Sequence, residues 1–441
     1  MTETAHVTDL PGGDATGRAE PEGGGLFSSA EFDLGRRHRA ERRFRWAGRL
    51  AIGLSLGFLI VMLVSIVALG KGAFMRTEIA LTVDLGPQMV DPAAPEDANW
   101  RKIAREALFA TFPEVTSRGE RRRLLGLLSP DAGHEIRGQV LADPGLLGGE
   151  RALWLTASDT IDLYHKGEVD VDAPEDQRKL TDQELGWVRM LEDRGAIRSV
   201  FNTGFFTHGD SREPELAGIL SALVGSVLSL AVCFALAFPL GIFAAIYLEE
   251  FSRKTRWSDF IEVNINNLAA VPSIIFGLLG LSVFLNTFGL PRSSPLVGGM
   301  VLALMTLPTI IIAARAALRG VPPSIREAAL GLGATRVQTT FHHVVPLALP
   351  GMLTGAIIGM ARALGETAPL LMIGMVAFIV DVPTSLTSAA TSLPVQIFLW
   401  ADASERAFLE KTAAAIIVLV ALLVAMNLLA IVLRRKFERR F

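Results

Sequence analysis

Two ionisable residues, Arg362 and Glu366, lie four positions apart in the apolar stretch near 348 to 380. On a helix this spacing places both side chains on one face, where they can pair. Charged groups inside a membrane segment are costly and normally face a bundle interior or a water-filled path. The arginine fork matches the oxygens of a tetrahedral anion, and the neighbouring Thr367 adds a hydroxyl. We therefore predict that these three residues line an anion path near the middle of the bilayer.

The alternative is a structural ion pair that pins two helices together. The backbone around the two residues favours an anion path over a structural ion pair. Gly365 permits the close approach of a neighbour, and Pro369 interrupts the hydrogen bonding of a helix. Irregular backbone at membrane depth is tolerated where it is buried in protein or lines a cavity, so we expect N–H donors near Pro369.

A second motif lies between two apolar segments, in a stretch rich in arginine. It runs Glu327-Ala328-Ala329-Leu-Gly-Leu-Gly333, and Pro346 follows thirteen residues after the last glycine. The two alanines predict a helix slim enough to enter a groove on a partner protein, and Gly333 is expected to end it. Glu327 can bond to donors on that partner. The next helix is expected to start at Pro350-Gly351, and an ordinary hairpin with a glycine cap is the alternative.

Catalytic and metal-binding patterns are not found in the sequence. The single cysteine, Cys233, lies in an apolar run, and the seven histidines are scattered apart from His342 and His343. Neither a HExxH or CxxC pattern nor a GxSxG or Walker A loop occurs. We therefore predict no catalytic residue, no metal and no cofactor in this chain. A net charge of -3 gives no general attraction to nucleic acid.

The composition is that of a membrane protein. Half of the 441 residues are hydrophobic, and the mean hydropathy is +0.40. Spanning a bilayer takes roughly 20 apolar residues, and six stretches approach or exceed that length. They lie near 50–69, 217–248, 260–286, 296–318, 348–380 and 411–433. The sequence therefore predicts six transmembrane helices, with a cleaved signal as the alternative for the first.

Basic residues mark one side of the membrane. They precede the first segment and follow the second, fourth and sixth, which predicts that these ends are cytoplasmic, together with both termini. The cations that follow are Arg253, Lys254 and Arg256, then Arg319, Arg326 and Arg336, then Arg434, Arg435, Lys436, Arg439 and Arg440.

The predicted domain order has five parts. A disordered basic leader covers 1–45, the first transmembrane helix 46–70, an insert 71–214, a five-helix core 215–434 and a cytoplasmic tail 435–441, with a cytoplasmic loop at 319–346 in the core. The insert alternates apolar and polar residues over Ile79–Leu85, as a strand does, and has helical spacing over Trp100–Phe112 and Leu185–Leu191. A small α+β domain on the periplasmic side is therefore expected.

These motifs resemble known permeases. The segment from Glu327 to Pro346 resembles the EAA loop of ABC-importer permeases, although His343 stands where that loop is usually aliphatic. The run 362–371 resembles the characteristic segment of the PstA family of phosphate permeases, and Asn264–Gly277 resembles the third span of that family. The insert resembles an additional periplasmic domain in a longer subgroup, for which the resemblance implies no role.

The resemblance implies an all-α polytopic protein, a six-helix ABC-importer permease bundle with an inserted α+β periplasmic domain, in the bacterial inner membrane. It implies import of inorganic phosphate, driven by cytoplasmic ATPase subunits that dock on Glu327, Ala328, Ala329 and Gly333. Further implied partners are a second permease of PstC type, a periplasmic phosphate-binding protein and the lipid bilayer. The alternatives are a permease for another oxyanion, the sister phosphate permease, or a membrane-anchored periplasmic sensor.

Overall fold

The first helix, α1, runs without a break from Leu34 to Gly70 in the computed structural model, which describes residues 34–437 apart from 93 and 254. The expected disordered leader to 45 is therefore wrong for its last part, which is helical. The run 36–45 has no proline or glycine and is rich in arginine, a good helix former, and Glu41 pairs with Arg45 one turn later. Residues 1–33 of the leader, Lys254 and residues 438–441 of the tail lie outside the described residues. The chain divides after Met62 into two compact units.

The insert is a small α+β domain, which confirms the predicted class. Its antiparallel sheet has the order β2-β1-β3, and β1 contains the predicted strand, with Ile79, Leu81 and Val83 fully buried. Helices α2 and α4 pack on each other and against the sheet. The elements are β1 Met75–Asp84, α2 Trp100–Thr111, α3 Arg118–Leu125, α4 Ala132–Ala142, β2 Glu150–Thr156, α5 Asp159–His165, α6 Asp182–Asp193, β3 Ile197–Phe201 and α7 Thr203–Thr207.

Long apolar helices follow the insert. Among the described residues, five continuous helical stretches are long and apolar enough to cross a membrane, and a helix pair bent by 103° makes six if it counts as one span. The elements are α8 Leu220–Ile246, the bent pair α9 Arg256–Ala269 and α10 Ser273–Leu279, α11 Pro295–Arg319, α12 Pro323–Gly331, α13 Arg336–Gln338, α14 Val345–Leu364, α15 Ala368–Met372, α16 Leu393–Ala401 and α17 Ala407–Phe437.

Small residues bring α14 close to α11. Gly351, Gly355 and Gly359 recur every fourth position and lie on one face of α14. A Cβ atom added to Gly355 would lie 2.2 Å from the Cβ of Ala313 on α11. Such close backbone approach is how transmembrane helices associate when no hydrophobic driving force acts between them. These glycines therefore hold α14 in place along α11.

The apolar stretch 348–380 does not form one helix, contrary to the sequence prediction. The helix begins at Arg336, passes through a π-helical turn at Thr339–Val344 and ends at Leu364. The expected start at Pro350-Gly351 is therefore wrong, because Pro350 lies inside the helix. A proline removes one helical hydrogen bond, and the wide π turn lies directly before the first proline, Pro346.

A short segment joins the insert to α8 and contains two buried acidic groups. Burial raises the pKa of Asp210, although the indole Nε1 of Trp400 donates a hydrogen bond of 3.0 Å to its carboxylate. Burial likewise raises the pKa of Glu215 to about 7 from an ordinary value of 4.5. The folded chain therefore holds a proton on Glu215 over a pH range in which the unfolded chain has lost it.

Replacing Glu215 with glutamine should reduce the pH dependence of stability. With a raised pKa, the stabilising proton is fully bound below pH 4.5 and lost as the pH rises through about 7, so the free energy of unfolding falls over this range. We expect a loss of about 1–3 kcal/mol in the wild type and a smaller loss in Glu215→Gln. Thermal unfolding in detergent at about pH 5 and about pH 8 measures this difference.

The exposed Glu213, two residues earlier, provides the control. Glu213→Gln should keep the pH dependence of the wild type. An unchanged pH dependence in Glu215→Gln would contradict the burial argument.

Candidate functional site

The predicted anion-path residues lie at a break between two helices. Arg362 is in the last turn of α14, and the N–H of Gly365 donates to the Arg362 carbonyl at 3.1 Å. Glu366 lies in the break, and Thr367 precedes α15, where its carbonyl accepts two N–H groups of the first turn. The expectation of a pair within one continuous helix is therefore wrong. A cation in the last turn of a helix is favoured by the helix dipole.

Pro369 begins the second helix rather than breaking the first. It occupies the first turn of α15, where a missing N–H costs little. The break itself falls at residues 365–367, before the proline. The irregular backbone expected near Pro369 is therefore present, directly before it.

The pair formed by Arg362 and Glu366 is loose. The Arg362 Nε atom lies 3.5 Å from Glu366 Oε1, longer than a direct hydrogen bond. The arginine side chain is 51% exposed and the glutamate 19% exposed. In the part of the chain that the structure describes, Arg362 has no other carboxylate within 4 Å. The exposed guanidinium is therefore accessible to an anion that competes with Glu366 for it.

Two interrupted helices meet at this place. The bend between α9 and α10 falls at Ala270–Pro272, and α10 then packs against α15. A Cβ atom on Gly277 would lie 2.7 Å from the Cα of Pro369, so only glycine permits this contact. The two runs that carry the family resemblance, 264–277 and 362–371, are thus neighbours in space.

The contacts between α14 and α11 indicate how deep the break lies. Gly351 contacts Ala317, Gly355 contacts Ala313 and Gly359 contacts Thr306, so the two helices are antiparallel. Arg362 comes after these contacts, on the side nearer the Pro295 end of α11. A position of Arg362 at the middle of the bilayer stays a prediction. The register of the two helices favours a position closer to the Pro295 end of α11.

The predicted docking loop forms a short helix with a well-defined end. Gly333 has a φ of +88°, its N–H donates to Leu330, and the N–H of Ala334 donates to Ala329. This is the Schellman arrangement, which favours glycine at the residue with positive φ. The predicted helix end at Gly333 is therefore present.

The exposed surface of this loop differs from the expectation. Glu327 and Ala328 are exposed, whereas Ala329 is buried within this chain. Apolar side chains are exposed next to them, above all Leu332 at 90%. Exposed apolar residues of this kind, together with a carboxylate, are suited to a protein interface.

Sequence reasoning missed the carboxylates that hold this loop. Arg326 donates to both Glu250 oxygens, with a shortest distance of 2.6 Å, and also to the carbonyls of Val321 and Leu318. Nearby, Glu249 pairs with both Arg315 and Arg319. The sequence did contain a signal for these contacts. Two adjacent glutamates, Glu249 and Glu250, lie at the end of an apolar segment on the same predicted side as the basic loop.

The remaining candidate residues lie apart from these sites. His342 and His343 are exposed on the π-helical turn, and Cys233 is fully buried between α8 and α11, 3.7 Å from the Thr306 hydroxyl. Over residues 34–437, with 93 and 254 left aside, no group of three or more His, Cys, Asp or Glu side chains could hold a metal ion.

Replacing Glu250 with alanine should loosen α12. The change removes the carboxylate partner of Arg326, a charge-assisted contact worth about 1.5–3 kcal/mol, so amide exchange in residues 323–331 should accelerate at least about tenfold. Hydrogen exchange with mass spectrometry measures this rate. Glu327→Ala, which removes an exposed carboxylate from the same helix, should have little effect. Equal exchange in both variants would contradict the assigned role of Glu250.

Comparison with known proteins places the chain in a family. A profile described as "Binding-protein-dependent transport system inner membrane component" matches residues 237–441, and a domain of unknown function, DUF3333, matches residues 31–175. The phosphate transport system permease protein PstA 1 of Mycobacterium tuberculosis (strain CDC 1551 / Oshkosh) is 32% identical over 245 residues, which are 55% of this chain and 80% of that protein.

Two further relatives have similar identity. The permease PstA of Yersinia pestis is 32% identical over 50% of this chain and 73% of its own length. The permease PstC of Mesorhizobium japonicum (strain LMG 29417 / CECT 9101 / MAFF 303099) is 31% identical over 48% of this chain and 72% of its own length. The chain belongs to the PstA family of phosphate transport system permease proteins.

Proposed function

We propose that this chain is a permease subunit of an ATP-driven importer that moves inorganic phosphate into the cytoplasm. The observation that carries the proposal is the similarity to PstA 1, which extends over 80% of that protein. The six possible spans and the interrupted helices around Arg362 supply a suitable framework. ATP hydrolysis is assigned to a partner, because the sequence has no Walker A loop.

The proposed partners are cytoplasmic ATPase subunits, a second permease of PstC type and a periplasmic phosphate-binding protein. The family description, which names a binding-protein-dependent system, supports the last of these. The exposed surface of Glu327, Ala328 and Leu332 supports an ATPase docking site on α12. Gly333 contributes by fixing the turn that presents this surface.

The proposed orientation follows from the ends of the helices. Arg326 and Arg319 contact the chain after α8, and Arg434 near the end of α17 donates to Thr354 of α14 at 3.3 Å. The basic ends of these helices therefore meet on one side of the bundle, which we assign to the cytoplasm. The insert lies between the end of α1 and the start of α8, which are the opposite ends of these helices. This supports a periplasmic location for the insert and a cytoplasmic location for both termini.

The proposed anion path uses the loose pair at the helix break. Phosphate binds the exposed guanidinium of Arg362, and the hydroxyl of Thr367 adds a donor. Glu366 competes for the same guanidinium and repels the anion, which keeps binding weak enough for release. A distance of 3.5 Å leaves the carboxylate close enough to return when the anion leaves.

Combining Arg362→Leu with Glu366→Met should strongly reduce transport without unfolding the protein. Such ion pairs can often be replaced by apolar residues at little cost in stability, so a structural pair would be dispensable. We expect uptake of labelled phosphate by the reconstituted importer to fall about tenfold to a hundredfold, because the lost contact to the anion is charge-assisted.

The pair Glu41 and Arg45, also four residues apart, gives a matched control. Glu41→Met with Arg45→Leu should leave uptake near the wild-type rate. If the Arg362 and Glu366 double variant also transports at that rate, these residues do not line the path.

Replacing Gly333 with valine should uncouple ATP hydrolysis from substrate. A β-branched residue at a φ of +88° is strained by about 1–3 kcal/mol, so the turn that presents Glu327 should be displaced. Glu327→Lys should have the same effect by reversing a charge. Substrate-stimulated ATP hydrolysis by the assembled complex is the measurement.

Gly331 offers a control in the same loop. A Cβ atom there meets nothing within 4 Å, so Gly331→Ala should retain stimulation. Normal stimulation in both Gly333→Val and Glu327→Lys would exclude α12 as the docking site.

A further inference from the structure

A buried charged cluster joins the insert to the last long helix. Lys166, which directly follows α5, lies 3.1 Å from Glu410 Oε2 in the first turn of α17 and 2.5 Å from Asp162 Oδ2. The side chain of Glu410 is 4% exposed and that of Lys166 is 13% exposed. The ammonium group of Lys166 thus connects carboxylates from two domains.

The surroundings of the cluster are shaped for these groups. The second oxygen of Asp162 accepts hydrogen bonds from the N–H and hydroxyl of Thr77, at 2.9 and 2.8 Å. Gly72 leaves the space that the Glu410 carboxylate occupies, since a Cβ atom there would lie 2.5 Å from Oε2. Partly buried charges require such partners, because the loss of one leaves the other uncompensated.

Charge from α17 also meets the segment that follows the insert. Lys411 donates from Nζ to the carbonyl of Ala217 at 3.3 Å and lies 5.2 Å from the ring centre of Phe205. Over the described residues, the contact of Lys166 with Glu410 is the one ion pair that connects the insert to the helices after it. This pair therefore adds a charged contact to the apolar packing of Ala73 and Phe205 against the later helices.

A second connection leads from the insert towards the candidate site. The connecting segment, residues 208–219, holds the chain that follows α15: the Asp210 N–H donates to the Ile379 carbonyl at 3.1 Å. Arg212 lies 5.7 Å from the ring centre of Phe378. At Gly209 a Cβ atom would lie 1.9 Å from the Val380 carbonyl oxygen, so the two backbones are in close contact.

The cluster and the connecting segment approach the helix break from two sides. α17, held by Glu410, packs along α14, which ends just after Arg362. The connecting segment holds residues 378–380, which lie downstream of Thr367 and α15. A displacement of the insert relative to α17 would therefore move α14 and the chain that follows α15, which lie on either side of the helix break.

We propose that Lys166 and Glu410 are a positioning pair for transport, which fixes the insert against α17 and thereby sets the geometry around Arg362. The pair touches no substrate and acts through α14, α15 and the connecting segment. This inference rests on the proposed function as a phosphate importer. It gives the insert a role as a structural part of the transport machinery.

The test uses the complete importer in proteoliposomes, with its ATPase, second permease and binding protein. Lys166→Glu and Glu410→Lys should each lower the maximal rate of phosphate uptake about tenfold or more, with the half-saturating phosphate concentration unchanged. The exchanged pair, with both substitutions, again has two carboxylates and one ammonium group. It should restore the rate to within about threefold of the wild type.

Lys102→Glu provides a matched control, because Lys102 also lies in the insert and pairs with Glu106 on an exposed surface at 3.6 Å. This variant should transport like the wild type. A wild-type complex that fails to carry phosphate would refute the proposed function itself. A wild type that carries it, with both single variants near its rate, would refute the positioning role alone.

Two further outcomes are decisive. In the first, the single variants and the exchanged variant all assemble and are equally inactive. Transport would then not depend on the pairing of these two charges, and the inference would be overturned. If the charge reversals do not assemble, Lys166→Met replaces them, with hydrogen exchange as the measurement. Faster exchange in residues 365–380, with β1 still protected, supports the positioning role, and wild-type exchange there overturns it.

Discussion

The contact of α14 with α11 through glycines is the constraint on which the candidate site depends. Gly351, Gly355 and Gly359 leave no room for side chains of their own, so the backbone of α14 lies directly against small side chains of α11. Between membrane helices such packing takes the place of a hydrophobic driving force. Because α14 ends one turn beyond Gly359, this contact also fixes the height and direction of Arg362. The charged side chain of Arg362 is thus positioned by uncharged glycines.

Close packing also explains how two interrupted helices are tolerated together. Backbone groups that leave a helix inside a membrane must be buried in protein or line a cavity. The break at 365–367 and the bend at 270–272 are each followed by a short helix, and these two helices pack on each other, with Gly277 directly against Pro369. A polar position between helices is thereby created without a long loop in the membrane.

Local properties of the sequence account for what could be predicted. Length, hydropathy and alternation were sufficient for the helical bundle, the α+β insert and the helix end at Gly333, because each depends on neighbouring residues. The helix boundary at Leu364 was missed, since it depends on packing by α10, which lies far away in the sequence. The start at Pro350 was wrong because a π turn upstream accommodates the prolines. The pairing of Lys166 with Glu410 had no sequence signal either, because these two residues also lie far apart in the sequence.

The two ends of the bundle differ in how their charges are connected. At the end with α12, Glu249 accepts from two arginines, and Arg315 reaches a second carboxylate, Glu262, at 2.8 Å. Loss of one of these contacts leaves others in place, so this part of the framework is redundant, whereas Arg326 pairs with Glu250 alone among the described carboxylates. At the insert, one described ion pair links two domains, and removing Lys166 leaves the Glu410 carboxylate without its cation. Redundant contacts resist displacement, whereas a single buried link can be broken by one change. Loss of the contact between Lys166 and Glu410 should therefore displace the insert more readily than loss of one Glu249 contact displaces the other end of the bundle.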